Sequence, residues 1–262
     1  MGNLNIHVFC NDGQRVLYDC YFLPSLKDPW KVCYHPLPNT GPADFGTETF
    51  KRLVHEKIKI LVTEILPSEI QNEFFILSDV DIQFFSPCDQ SVREAMQGVD
   101  IALQSEFGNR FSSLANTGFI CMRPNQPMID FWSKVESNLA EQIGKADFVN
   151  EQAIVNKMLP LASNIKWAFF PDAIWAYSNL GFRRSHRFPS ILLHHANVTS
   201  PRDGMSSLEL KIEQLASVKE LLRTWNDASY LTHLSRRIHT QFGDKIRLVE
   251  RIYYALARRL SH

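Results

Sequence analysis

The tightest constraint in the chain is a junction: the unbroken apolar run Phe74-Phe75-Ile76-Leu77 passes directly into Ser78-Asp79-Val80-Asp81. A short run without polar alternation is the pattern of a strand buried on both faces. Such a strand needs a covering layer on each side, so amphipathic helices must be supplied nearby. They are present. Phe50, Leu53, Val54, Ile58, Leu61, Val62 and Ile65 recur at helical spacing with Lys51, Lys57 and Lys59 off the stripe, Thr47 or Thr49 as cap and Pro67 beyond the end. Ser86-Pro87 opens a helix through Met96. Further stripes are Met128, Phe131, Trp132, Val135, Leu139; Phe148, Ile154, Val155, Met158; and Leu208, Ile212, Leu215, Leu222, Trp225.

Between these helices lie strand-like segments at 6–10, 30–34, 100–103, 118–122, 167–170 and 191–194. Strands alternating with helices predict an α/β fold with a mostly parallel sheet. The length, 262 residues, suits one such domain with a small appendage.

In open α/β sheets ligands bind beyond the carboxyl ends of the strands, which is where Asp79 and Asp81 fall. Residues two apart in an extended stretch point to one side. Carboxylates so placed resist ionising together unless a cation sits beside them. Mg²⁺ and Mn²⁺ take oxygen ligands, commonly carboxylates plus substrate phosphates, so the pair points to a metal and a diphosphate together. Phe84-Phe85 just beyond argues against a freely solvated acidic turn. Two more segments bear on this reading. In LANTGFICMRPN, Asn116-Thr117-Gly118 precedes an apolar strand, and Gly118 lets backbone approach a ligand. In ILLHHANVT, His194 and His195 end an apolar strand and either could complete a two-carboxylate, one-histidine metal set.

With FFILSDVDIQFF, LANTGFICMRPN, FVNEQAIVNKML and LLHHANVT in this order and rough spacing, the chain resembles the GT-A type nucleotide-diphospho-sugar transferases, in particular the branch with plant-type galactosyl-, xylosyl- and arabinosyltransferases and bacterial relatives. The resemblance implies a Rossmann-like, mostly parallel sheet flanked by helices over 1–226, with residues 227–262 as a basic, helical C-terminal extension. It implies a UDP-sugar donor, galactose first, and Mn²⁺ (or Mg²⁺) held by Asp79, Asp81 and His195, with His194 the fallback. It places the uracil base against Phe9, Cys10, Asn11 and Asp12, and the donor also against Asp79, Val80, Asn116 and Gly118. The reacting side of the sugar falls to Glu151 and Gln152. Lys57 and Lys211 are the implied diphosphate lysines. Here the chain departs from its relatives: Val198 and an inserted Ser200-Pro201-Arg202-Asp203-Gly204 delay Lys211, so Arg202 could take its place.

The family is expected to retain anomeric configuration. Either Glu151 or Gln152 attacks from the face opposite the leaving group, or the acceptor attacks from the same face. Two other functions fit an Asp-x-Asp after a strand: a haloacid-dehalogenase-like Mg²⁺-dependent phosphatase, in which Gln83 would stand where a Thr or Val belongs, and a non-catalytic sugar-nucleotide or glycan-binding protein.

Charge gives no pull toward nucleic acid: Lys plus Arg and Asp plus Glu number 28 each. From Ser235 onward the tail is arginine-rich, as in Arg236, Arg237, Arg258 and Arg259. Its last helix either packs with arginines outward or lies on an anionic membrane beside a lipid-linked acceptor. Glycan, lipid and protein acceptors all stay open. Cys10, Cys20, Cys33, Cys88 and Cys121 form no zinc spacing and read as reduced thiols. The start MGNLNIHVFCND lacks a signal-peptide pattern, and no apolar run spans a membrane, so the expected location is cytoplasmic.

Overall fold

The computed structural model describes residues 4–38, 44, 46–106, 114–145, 149–171, 173–177, 191–196, 198, 201–202 and 204–226. The C-terminal extension 227–262, Phe148, Asn197, Ser200 and Asp203 lie outside the described residues.

Among the described residues nine strands appear, in chain order: β1 (Asn5–Cys10), β2 (Lys31–Pro36), β3 (Phe75–Ser78), β4 (Ile82–Phe84), β5 (Ile101–Ser105), β6 (Ala115–Met122), β7 (Trp167–Phe169), β8 (Ile174–Tyr177) and β9 (Leu193–Ala196). The main helices are α1 (Glu48–Ile60), α2 (Asp89–Ala95), α3 (Gln126–Gln142), α4 (Glu151–Met158) and α5 (Ser207–Asn226). A six-stranded sheet runs β2-β1-β3-β6-β5-β7, and a three-stranded sheet runs β4-β9-β8. The large sheet is mostly parallel, as expected. Its exception is β6, which lies antiparallel to both β3 and β5.

The period of two along the strands divides the core into two. Phe75 and Leu77 of β3, Ile101 and Leu103 of β5, and Ile120 and Met122 of β6 face α1, α3 and α4, where Val54, Ile58, Phe131, Trp132, Ile154 and Val155 are buried. Ile76, Ala102, Phe119 and Cys121 face the other way, against Phe22, Trp30, Val92 and the small sheet's Ile82, Phe84 and Leu193. The apolar run 74–77 is therefore covered on both faces.

Local chemistry sets the helix ends. Thr47 caps α1, its side chain accepting from Phe50 N–H at 3.2 Å. Pro67 does not lie beyond the helix. A π turn, Leu61–Ile65, leads into a last turn, Leu66–Ser68, and the wider turn accommodates a proline that has no N–H to donate. The same device recurs between β1 and β2, where the π segment Tyr18–Phe22 precedes Leu23–Ser25 and Pro24. Ser86-Pro87 does not start α2: it begins at Asp89, capped from a distant loop by Asp28, which accepts from Cys88 N–H at 2.7 Å and Asp89 N–H at 3.0 Å. No helix among the described residues is long and apolar enough to cross a membrane.

A buried polar cluster ties α1's end to the sheet. Glu69 accepts from Asn5 at 2.8 Å and from Asn72 at 2.6 Å, and lies 2.9 Å from His7 Nε2. Burial pushes the Glu69 carboxyl up, but the hydrogen bonds from His7, Asn5 and Asn72 outweigh it and leave it below its ordinary value. A lowered folded pKa stabilises above the unfolded value, and the gain is lost as pH falls through the folded one. Glu69→Ala should therefore cost about 2 kcal/mol at pH 7, with the gap to wild type shrinking below about pH 4. Urea unfolding at both pH values measures this, and an equal gap at each would contradict it.

Candidate active site

The large sheet hands over to the small one at Asp79-Val80-Asp81. Asp79 N–H donates to Gly118 O at 2.7 Å, fastening the segment to β6, and Ala196 N–H donates to Asp81 O at 2.8 Å, fastening it to β9. Val80 between them is buried in the core. Both carboxylates consequently reach one cavity of about 840 Å³. Ile82 pairs with His195 across β4 and β9, which brings the imidazole to Asp81.

The carboxylates and the ring converge. His195 Nε2 lies 3.2 Å from Asp81 Oδ1 and 3.9 Å from Asp79 Oδ2. Lys57 donates to Asp79 Oδ1 at 2.5 Å, and Lys211 Nζ lies 2.6 Å from Asp81 Oδ2. One ligand atom from each of Asp79, Asp81 and His195 can be chosen so that all lie within 4.8 Å of one another. Hard divalent ions bind oxygen ligands at about 2.1 Å, so small side-chain movements would let all three reach one ion. Asp81 Oδ1 is buried and makes no hydrogen bond among the described residues, although His195 Nε2 lies 3.2 Å from it. An unsatisfied buried carboxylate oxygen beside an imidazole nitrogen is a fit for a divalent cation.

Burial would raise the Asp81 carboxyl, but Lys211 and His195 hold it well below the carboxylate range. Burial would lower His195, and Asp81 more than offsets this, so the ring is raised. Burial opposes the charge on Lys57 and Lys211 as well, yet Asp79 raises the first and Asp81 the second. Glu151 goes the other way: burial pushes its carboxyl up against the pull of Lys57. Its Oε1 accepts from Thr117 Oγ1 at 3.4 Å, while its buried Oε2 has no hydrogen-bond partner among the described residues.

Of the residues singled out in the sequence, Phe9, Asn11, Asp12, Lys57, Asp79, Val80, Asp81, Asn116, Gly118, Glu151, Gln152, His195 and Lys211 all line this cavity. Cys10 does not. Alternation along β1 sends Phe9 to the cavity and Cys10 to the opposite core, its thiol 3.2 Å from Asn11 O. His194 also points away from the cavity on β9, and burial, then His195, push its ring down to about 3. Arg202 is exposed in a short bridge with Met205 and does not line the cavity, whereas Lys211, one turn into α5, does.

Sequence reasoning missed Glu106. It follows β5 directly, the same strand-end position that drew attention to Asp79. Its Oε2 accepts from Asn116 Nδ2 at 2.7 Å and Gln152 Nε2 at 3.3 Å, joining two of the expected residues. Asp44 was missed as well. It lines the cavity and accepts from Ser207 Oγ at 2.5 Å, joining the segment before α1 to the start of α5.

Gly118, which lines the cavity, also makes room for the His195 ring. A Cβ there would lie 2.7 Å from His195 Nδ1 and 2.8 Å from Nε2, so the ring rests directly on the glycine. The bulge between β5 and β6, where the register moves from Leu103↔Ile120 to Gln104↔Asn116, carries Gly118 to this point.

The nucleotide-diphospho-sugar transferase family matches residues 18–207. Among solved structures, a glycosyltransferase involved in glycosylation of the major capsid of PBCV-1 is 12% identical, with a TM-score of 0.54, covering 82% of this chain and 100% of that one. The glycosyltransferase GlyE of Streptococcus pneumoniae TIGR4 is also 12% identical, with a TM-score of 0.50, covering 87% of this chain and 64% of that one. At such identities the likeness establishes the GT-A fold alone. No curated protein sequence matches the chain.

Gly118→Ala should displace the His195 ring. The expected result is a loss of about 1–3 kcal/mol in stability, from overpacking against a buried ring. Thermal or urea unfolding checks it, and a variant as stable as wild type would contradict the contact.

Proposed function

This chain belongs to the nucleotide-diphospho-sugar transferase family, and we propose that it moves a sugar from a UDP-sugar to an acceptor, with retention of configuration and with a divalent ion, Mn²⁺ or Mg²⁺, at Asp79, Asp81 and His195. Galactose is the first donor to test. A glycan acceptor fits family membership best. That membership also displaces the phosphatase alternative.

The observation that carries the reading is the convergence of two carboxylates and an imidazole in one cavity, with a buried Asp81 oxygen lacking a hydrogen-bond partner among the described residues. A divalent ion bound there supplies Lewis-acid stabilisation of the departing nucleoside diphosphate. Lys57 and Lys211 are the cations within reach of that diphosphate. Each would exchange its carboxylate partner for phosphate oxygens, which charge-assisted hydrogen bonds favour. Phe9, Asn11 and Asp12 would hold the base; His35 stacks on the Phe9 ring with centroids 5.0 Å apart. Asn116, Glu106 and Gln152, already bonded to one another, would position the sugar.

Glu151 lies where the two routes to retention diverge. Burial favours its neutral form, and its partnerless Oε2 leaves one oxygen for a substrate group. The same-face route needs only its hydrogen-bonding capacity, whereas the covalent route needs an ionised nucleophile.

With Mn²⁺ and a panel of UDP- and GDP-sugars, nucleotide release is expected for UDP-sugars, and Asp81→Asn should lower kcat/KM on the order of 100-fold or more. UDP and Mn²⁺ binding in calorimetry without turnover of any donor would instead indicate a binding protein. Glu151→Gln separates the routes: near-normal turnover eliminates a covalent role, and abolished transfer with intact donor affinity supports one.

A further inference from the structure

We infer that Gln104 is the positioning residue that decides which nitrogen of His195 faces the metal: its side-chain oxygen takes the Nδ1–H, leaving the Nε2 lone pair for an ion between Asp79 and Asp81. This assignment rests on the metal-site reading above. The ring's Nδ1 lies 3.2 Å from Gln104 Oε1, on the side of the imidazole away from the carboxylates.

The placement follows from the strand. Ile101 and Leu103 of β5 face the helices, so Ala102 and Gln104 face the small sheet, where β9 carries His195. Gln104 is fully buried and does not line the cavity, so a bound donor would touch His195 but not its amide neighbour. The bulge that follows Leu103 pairs Gln104 with Asn116 and leaves Gly118 against the ring. His195 is thus fixed by contact on its face and by a hydrogen bond on one edge, with its other edge toward Asp79 and Asp81.

A buried glutamine here is costly. Its Nε2 has no hydrogen-bond partner among the described residues, so the amide is only half satisfied. A leucine would fill similar space without that penalty. What leucine could not do is accept a hydrogen bond from Nδ1–H. The reverse amide orientation, with nitrogen toward the ring, would put the ring's proton on Nε2 and close it to a metal. Histidine ligands generally donate their second ring N–H to an outer partner that sets the tautomer. Here that partner is a side-chain amide.

The test is a Mn²⁺ titration by calorimetry in the presence of saturating UDP, with thermal unfolding of the metal-free protein measured in parallel. Gln104→Leu should weaken Mn²⁺ binding about 10- to 100-fold while the metal-free melting temperature stays level or rises. Gln104→Glu, whose carboxylate accepts the same N–H, should stay within about threefold of wild type in Mn²⁺ affinity. His195→Ala serves as the reference for loss of the ligand itself. Wild-type affinity in Gln104→Leu alongside weakened binding in His195→Ala overturns the role of Gln104 alone. Wild-type affinity in His195→Ala removes the metal-site reading, and this assignment with it. Equal losses in Gln104→Leu and Gln104→Glu, with both melting lower, would make Gln104 a space-filling residue and likewise overturn the proposal.

Discussion

Because the core takes Val80, the carboxylates on either side of it are both delivered to the cavity, and most of the site is a response to that fact. Backbone bonds to β6 at Asp79 and to β9 at Asp81 hold the segment at both ends. Like charges side by side, Asp81 buried and Asp79 part-exposed, need compensation. Lys57 comes from α1, Lys211 from α5 and His195 from β9, each meeting the pair from a different element. The charge cluster is therefore assembled from both sheets and two helices, and α4 adds Glu151 and Gln152 to the same cavity.

The histidine shows how closely fold and site are joined. Its ring occupies the space a side chain at position 118 would need, and its second nitrogen meets an amide from β5. Both contacts lie beside one register shift in the large sheet. A bulge is ordinarily a local defect in pairing; beside a site it re-aims side chains.

Much of this was legible in the sequence, and the rest was not for identifiable reasons. The run 74–77, the α1 and α3 stripes and the aspartate pair were readable because both-face burial and helical spacing leave periodic signals. Strand direction leaves none, so reversed β6 could not be foreseen from its composition. β4 and β8 are short, and they are strands only because β9 pairs with them from far along the chain. The helical stretch between β1 and β2 is short and carries Pro24, which a preceding π turn accommodates. Residue spacing made Lys211 look displaced by an insertion, although the inserted residues precede α5 and leave the lysine on its first turns. Cys10 was drawn in with its neighbours although strand alternation sends its side chain the other way. Glu106 and Gln104 went unseen because polar residues at the end of β5 resemble a strand running out into a loop.

The most direct measurement of the central claim is a crystal structure with UDP and Mn²⁺, with anomalous scattering recorded at the manganese edge. The account predicts one anomalous peak within bonding distance of Asp79 and Asp81 oxygens and His195 Nε2, with Lys57 and Lys211 turned toward the diphosphate. Nucleotide bound in the cavity with no peak at these residues, and both lysines still paired to Asp79 and Asp81, would contradict it.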